Sequence, residues 1–186
     1  PRDNNHPYRP AIIFRMAEAY LSYAEALNES SERMSHKQEI LDNLNKIRHR
    51  AGIAEYGTGT DENGFTRIKI NFSDQKEVRR LIHKERRVEF VGEGVRYHDL
   101  RRWKTAHYGI GNLNEQGENP DWGVNGPDYG MNYYGTEYTD QGDNAFFKRT
   151  KYMDRVYPRK FYWYPIHQSE IDKDPTLVQG SFWLGE

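Results

Sequence analysis

The sequence predicts a mainly α-helical fold: an antiparallel helix pair plus further helices, with long irregular loops and at most short strands. Three observations predict it. Apolar residues recur at spacings of three and four over 11–29, 35–51 and 74–91. Only Ser30 to Met34 separates the first two stripes, and helices joined so tightly pack antiparallel. The stretches between the helices are rich in glycine and asparagine and seldom alternate as strands do.

In 11–29 the stripe is Ile13, Met16, Ala17, Tyr20, Ala24 and Leu27, with Pro10 suited to a helix start. In 35–51 it is Ile40, Leu41, Leu44, Ile47 and Ala51. Ser35 with Gln38 gives a capping-box pattern, and Gly52 suits the C-terminal cap. Gly57, Gly59 and Gly64 mark 53–72 as a loop, within which 65–70 alternates like a short strand. Over 74–91, Ser73 or Asp74 caps the start and Val78, Leu81, Ile82 and Val88 mark the buried side. Glu85 falls on that stripe and needs a partner, because an isolated buried carboxylate is costly. Gly92-Glu93-Gly94 interrupts, and a shorter helix is expected over 95–105 with Leu100 and Trp103 inward. Near the end, 159–164 reads as an aromatic strand stopped by Pro165, and a helical turn follows at 169–172.

At 186 residues the chain is expected to be one domain, 1–186. Its 27 Lys and Arg balance 28 Asp and Glu, which argues against a general binder of nucleic acid or anionic membrane. No apolar run reaches the length of about 18 that spans a bilayer. The opening Pro1-Arg2-Asp3-Asn4-Asn5 lacks the apolar region of a signal peptide, so none is expected in this sequence. The absence of cysteine excludes disulfides, zinc–thiolate sites and thiol catalysis within it. Leu, Ile, Val and Phe number only 35, yet aromatics reach 14%. The expectation is a folded, polar piece packed largely by aromatics, with some of its core completed by segments of a larger protein.

Residues 107–147 differ in kind and read as a long acidic Gly/Asn/Tyr-rich loop insertion. They hold no Lys or Arg but seven acids, eight glycines, six asparagines and eight aromatics. Aromatic faces pack on the C–H faces of sugars, and amide and carboxyl groups hydrogen-bond hydroxyls. Trp122, Tyr129, Tyr133, Tyr134 and Tyr138 are the candidate ligand-binding residues for a neutral polyol. The same composition suits an adaptable protein-binding surface, or tyrosines packed inward.

Between Arg79 and Lys104, nine cations face four acids. Glu85, Glu89 and Glu93 lie four apart, with Arg86, Arg87, Arg96, Arg101 and Arg102 available to neutralise them as an internal lattice. The same acids could serve glycoside hydrolysis, but flanking arginines depress a carboxyl pKa, the wrong direction for a general acid. The seven histidines form no metal-ligand spacing, and no metal site or catalytic residue is expected. No cofactor is expected either; calcium at the Asp61-Glu62-Asn63-Gly64 turn is the one exception that residue types permit, without the 12-residue pattern of a dedicated site.

The order of several pieces resembles the C-terminal region of the SusD/RagB family of outer-membrane nutrient-binding lipoproteins. They are Arg15 to Asn28, Leu44 to Gly52, Ile82 to Phe90, Gly92 to Trp103, and Tyr164-Pro165-Ile166 through Ser169-Glu170-Ile171 to Gln179. Two departures lie in the tail: His167 stands where the family usually has proline, and Gln179-Gly180-Ser181-Phe182 replaces the usual ending. The resemblance implies helix pairs of tetratricopeptide-like type, of which 11–29 with 35–51 would be one. It implies a parent lipoprotein on the extracellular face of the outer membrane of Bacteroidetes-type bacteria. That parent would bind glycan or peptide without catalysis and deliver it to a SusC-like TonB-dependent transporter. The membrane would be met only through the parent's lipid anchor, and the present chain would be a C-terminal fragment. It also implies that Glu85, Arg86, Glu89, Arg96, Asp99 and Arg102 form a structural ion-pair network that holds helices together and touches no ligand. The rival readings are a module that contacts the transporter and a carboxylate-pair glycoside hydrolase.

Overall fold

A computed structural model describes residues 13–109, 123–136 and 145–184. It divides into two compact units, 1–96 and 97–186. The fold is mainly helical, and among the described residues its one sheet has two strands.

The first unit is built on α1 (Met16–Glu29), α2 (Lys37–Arg50) and α3 (Gln75–Glu89). Ala17, Leu21, Ala24 and Leu27 of α1 are buried with Ile40, Leu44 and Ile47 of α2 and Val78 and Ile82 of α3. Tyr56 and Phe90 close this core. Each helix thus contributes one apolar stripe, and the three stripes converge.

Helix boundaries depart from the sequence reading where local chemistry intervenes. α1 begins at Met16 because Arg15 is extended (φ −142°, ψ 154°), and Ile13 ahead of it is almost fully exposed. The Ser35–Gln38 capping box does not form. A series of tight turns occupies 30–36, Ser35 Oγ donates to the Glu32 carbonyl (2.7 Å), and His36 takes the cap position. Gly52 follows α2 with φ +66°, a left-handed conformation suited to glycine. Asp74 caps α3 by accepting from Lys76 N (2.8 Å) and Glu77 N (3.2 Å). Val88, expected inside, is 64% exposed. Ten residues past Val78, at about 100° each, it has turned about 80° from the stripe.

The 53–72 segment holds no strand, only isolated bridges pairing Tyr56 with Ile68 and Thr60 with Thr66. Buried Asp61 organises it by accepting from the backbone N–H groups of Glu55, Asn63 and Phe65. Burial alone would raise the Asp61 pKa; those three donors outweigh it and hold the carboxyl below its usual value.

α4 (Val95–Arg102) leads into the second unit, whose hairpin pairs β1 (Gly126–Met131) antiparallel with β2 (Arg149–Arg155). The register shifts by a bulge between Asp128 and Tyr129. The expected strand at 159–164 is instead a 3-10 helix, Arg159–Tyr162, started by Phe161 N donating to the Pro158 carbonyl (3.0 Å). α5 (Gln168–Lys173) and a second 3-10 turn, Ser181–Trp183, follow. Leu100, Ala106 and Ala145 are the buried apolar residues among those described in this unit. None of the described helices is long and apolar enough to cross a membrane.

Candidate functional site

Glu85 and Glu89 of α3, and Glu93 just beyond it, take cations from α2 and from Arg15 ahead of α1. Glu85 Oε1 accepts from Arg48 Nη1 of α2 (2.6 Å) and from the Tyr56 hydroxyl (2.8 Å). Glu89 pairs with Arg15 and Arg50. Glu93 takes Arg15 Nε (3.0 Å) and Nη2 (2.7 Å). Arg86 is buried, donates to Ser22 Oγ (3.1 Å) and lies over the Phe90 ring. Arg96 is half-buried at the end of this unit. In the second unit, Asp99 is buried and its pair with Arg102 (2.9 Å) lies within α4.

Arg15 holds the Glu93 carboxyl below the usual carboxylate range. A depressed carboxyl pKa contributes stability that is complete above the unfolded value, about 4.3, and is lost as pH falls through the folded value. Urea midpoints taken from about pH 6 down to about pH 3 should therefore fall, and less steeply in Arg15→Gln. Parallel curves for the two proteins would show that the ladder adds nothing to acid lability.

A cleft of 930 Å³ in the first unit is lined by residues that include Tyr20, Lys46, His49, Glu55, Tyr56 and Arg67. Most of its charge is spoken for: Glu55 pairs with Arg67 (2.8 Å) and His49 (3.2 Å), and Lys46 lies 4.4 Å from the Tyr20 ring centre.

The tyrosine candidates fall on the hairpin. Tyr129 lies on β1 opposite Lys151, and the Arg149 guanidinium covers its ring at 4.0 Å. Asp128 pairs with Arg155. Strand pairing thus carries the cations of β2 onto a segment that has none of its own, and one face of Tyr129 is already occupied. Tyr133 and Tyr134 lie past the end of β1, 67% and 89% exposed, with their rings edge to face at 5.6 Å. Phe146 and Phe147 join them, with centroids 6.3 and 6.4 Å from Tyr133 and 4.5 Å from each other. Trp122 and Tyr138 lie outside the described residues. Chemically, the cluster offers exposed π-faces rigidified by mutual contact, the arrangement that stacks on flat apolar faces.

Phe146 and Phe147, at the end of that stretch, are not among the residues that its composition nominates for ligand binding. Arg149 was missed because its partner ring lies 20 residues back. Among the described residues, no group of three or more His, Asp or Glu side chains converges as a metal site would require.

A family model described as the SusD family matches residues 2–183. The SusD-like proteins P38 and P25 of Formosa agariphila are 32% and 33% identical over 103 residues, 55% of this chain and 19% and 16% of theirs. The matched stretch thus spans less than a fifth of those relatives. Among solved structures, BT4246 superposes with a TM-score of 0.59 at 26% identity, over 94% of this chain and 25% of that one. A SusD-like protein from Bacteroides fragilis (BF3747) gives 0.58 at 27%, over 92% of this chain and 26% of that one.

Proposed function

The chain belongs to the SusD family, and from that premise we propose that it is the C-terminal part of a cell-surface lipoprotein that binds nutrient glycans and hands them to a SusC-like TonB-dependent transporter. Binding proceeds by stacking and hydroxyl hydrogen bonds, without bond cleavage. The parent sits on the extracellular face of the outer membrane through its lipid anchor.

The observation that supports glycan capture is the exposed Tyr133–Tyr134–Phe146–Phe147 cluster. Burial of one sugar face against such a ring needs no cation and tolerates neutral ligands. Tyr129, covered by Arg149, serves that cluster as a brace.

Calorimetric titration with neutral oligosaccharides tests the reading. Tyr134→Ala should weaken binding about tenfold, equivalent to about 1.4 kcal/mol, the scale of one lost aromatic stack. Trp122→Ala should also weaken it. Unchanged affinity in both would remove this surface from the site, and release of reducing sugar at catalytic rates would favour a hydrolase.

A second reading, that the hairpin meets the transporter, is favoured by its exposed Met131, Tyr152 and Met153. Deletion of residues 112–143 would then abolish transporter association and spare sugar affinity.

A further inference from the structure

A second concavity, of 440 Å³ and wholly within residues 97–186, is lined by His98, Arg101, Arg102, Lys104, Tyr162 and Trp163. Three of these are cations, and no acid among the described residues lines it. Its chemistry is the reverse of the lysine- and arginine-free tyrosine stretch.

Among the described residues, Arg101 is held in place by uncharged groups. Nη1 donates to the Tyr157 hydroxyl (2.8 Å) and the Phe161 carbonyl (2.6 Å), and Nη2 to the Tyr162 carbonyl (2.8 Å). The Tyr97 and Tyr164 rings approach it at 5.4 and 5.1 Å, with their hydroxyls 3.1 Å apart. Every one of these partners is uncharged. Of the five guanidinium N–H donors, Nε–H and one on Nη2 have no partner among the described residues. Among the described residues no carboxylate pairs with Arg101 or Lys104, whereas Arg102 is matched by Asp99.

Lys104 stands in the same lining. Its backbone lies at φ +56° because it ends α4: Lys104 N donates to the Arg101 carbonyl (3.1 Å) and Thr105 N to the Leu100 carbonyl (3.0 Å), the bonds of a left-handed helix cap. The wall beside these cations is also fixed. One face of Trp163 is stacked on Phe182 (4.8 Å, 4°), and its carbonyl accepts from Trp183 Nε1 (3.2 Å). The indole is nevertheless half-exposed.

We propose that this cleft is an oxyanion subsite for an acidic saccharide, a sugar ring that carries a carboxylate or a sulfate ester. Arg101 and Lys104 meet the anion and Trp163 packs against the ring. Planar guanidinium donors suit either oxyanion, and a cation pair that no described carboxylate offsets selects for charge where stacking alone does not. The inference rests on the glycan-binding reading and extends it to a ligand class.

The full chain is titrated with trigalacturonate, with a sulfated galactan disaccharide and with maltotriose as the neutral control. At least one acidic probe should bind about tenfold more tightly than maltotriose, with a preference that shrinks as salt is raised. Lys104→Gly is the diagnostic variant, because it removes the ammonium while relaxing the positive φ. It should weaken the acidic probe about fivefold and leave maltotriose within about twofold. Tyr134→Ala should weaken maltotriose. Which acidic probe responds separates carboxylate from sulfate. Acidic affinity that is no tighter than neutral, or that is untouched by Lys104→Gly, overturns the subsite and leaves the glycan reading standing. Binding of inorganic sulfate with no saccharide bound, or no saccharide binding at all, overturns both.

Discussion

Glu85→Ala should lower the stability of the chain by about 3–5 kcal/mol, the largest loss expected from any single side chain in its ion-pair ladder. Glu85 is 6% exposed, and the Arg48 side chain that faces it only 10%. Arg48 also donates from Nε to the Ala54 carbonyl (2.5 Å) and lies 4.3 Å from the Tyr56 ring centre. Truncation would leave that guanidinium buried with no counter-charge and take the acceptor from the Tyr56 hydroxyl. The coupling is visible in Tyr56 itself, whose pKa is raised first by burial and then by the Glu85 charge. Removing both charges, in Glu85→Met with Arg48→Met, should cost far less than Glu85→Ala alone, because the penalty lies in the orphaned charge rather than in the lost pair. Urea unfolding of the single and double variants separates the two terms. A loss below about 0.5 kcal/mol in Glu85→Ala would mean that water already reaches the pair.

The second large effect is steric. In Gly123→Ala the new Cβ would stand 1.9 Å from the Tyr108 carbonyl oxygen, 2.4 Å from its carbon and 2.7 Å from the Thr105 oxygen. All three are backbone atoms, so no rotamer relieves the clash. The approach is close because a clasp forms here. Gly123 N donates to Gly109 O (3.1 Å), Val124 N to Ala106 O (3.0 Å) and Asn125 N to Tyr108 O (3.1 Å), while Asn125 Nδ2 reaches His107 O (2.6 Å). Alanine should cost about 3 kcal/mol locally, at the upper end of overpacking effects. Amide hydrogen exchange reads this directly: protection at Val124 and Asn125 should fall about 100-fold while amides of α1–α3 keep theirs. Unchanged protection at those two amides would deny that the clasp exists.

Much of the first unit was legible because it is local. The i, i+3, i+4 pattern of Val78, Ile82 and Glu85 depends only on helical geometry, and it singled out Glu85 as a carboxylate in need of a partner. Val88 lies outside because the buried stripe of α3 is narrower than its spacing allows, and Ser35 caps nothing because its hydroxyl is engaged by the Glu32 carbonyl. At the candidate site, aromatic composition pointed to Tyr133 and Tyr134. It could not see that Arg149 would cover Tyr129, since that follows from pairing β1 with β2 across an intervening loop.

By itself, then, the order of residues determined three amphipathic helices, the tight turn joining the first two, a buried acid that required a cation, and a cation-free aromatic stretch. Tertiary structure alone decided that the cation is Arg48, 37 residues away, that the hairpin brings Arg149 onto Tyr129, and that Arg101 and Lys104 share a cleft with Trp163. The physical reason is range. Backbone geometry repeats within a few residues and leaves a periodic trace. Which distant charge meets which is set by the packing of whole elements, and no periodicity records it.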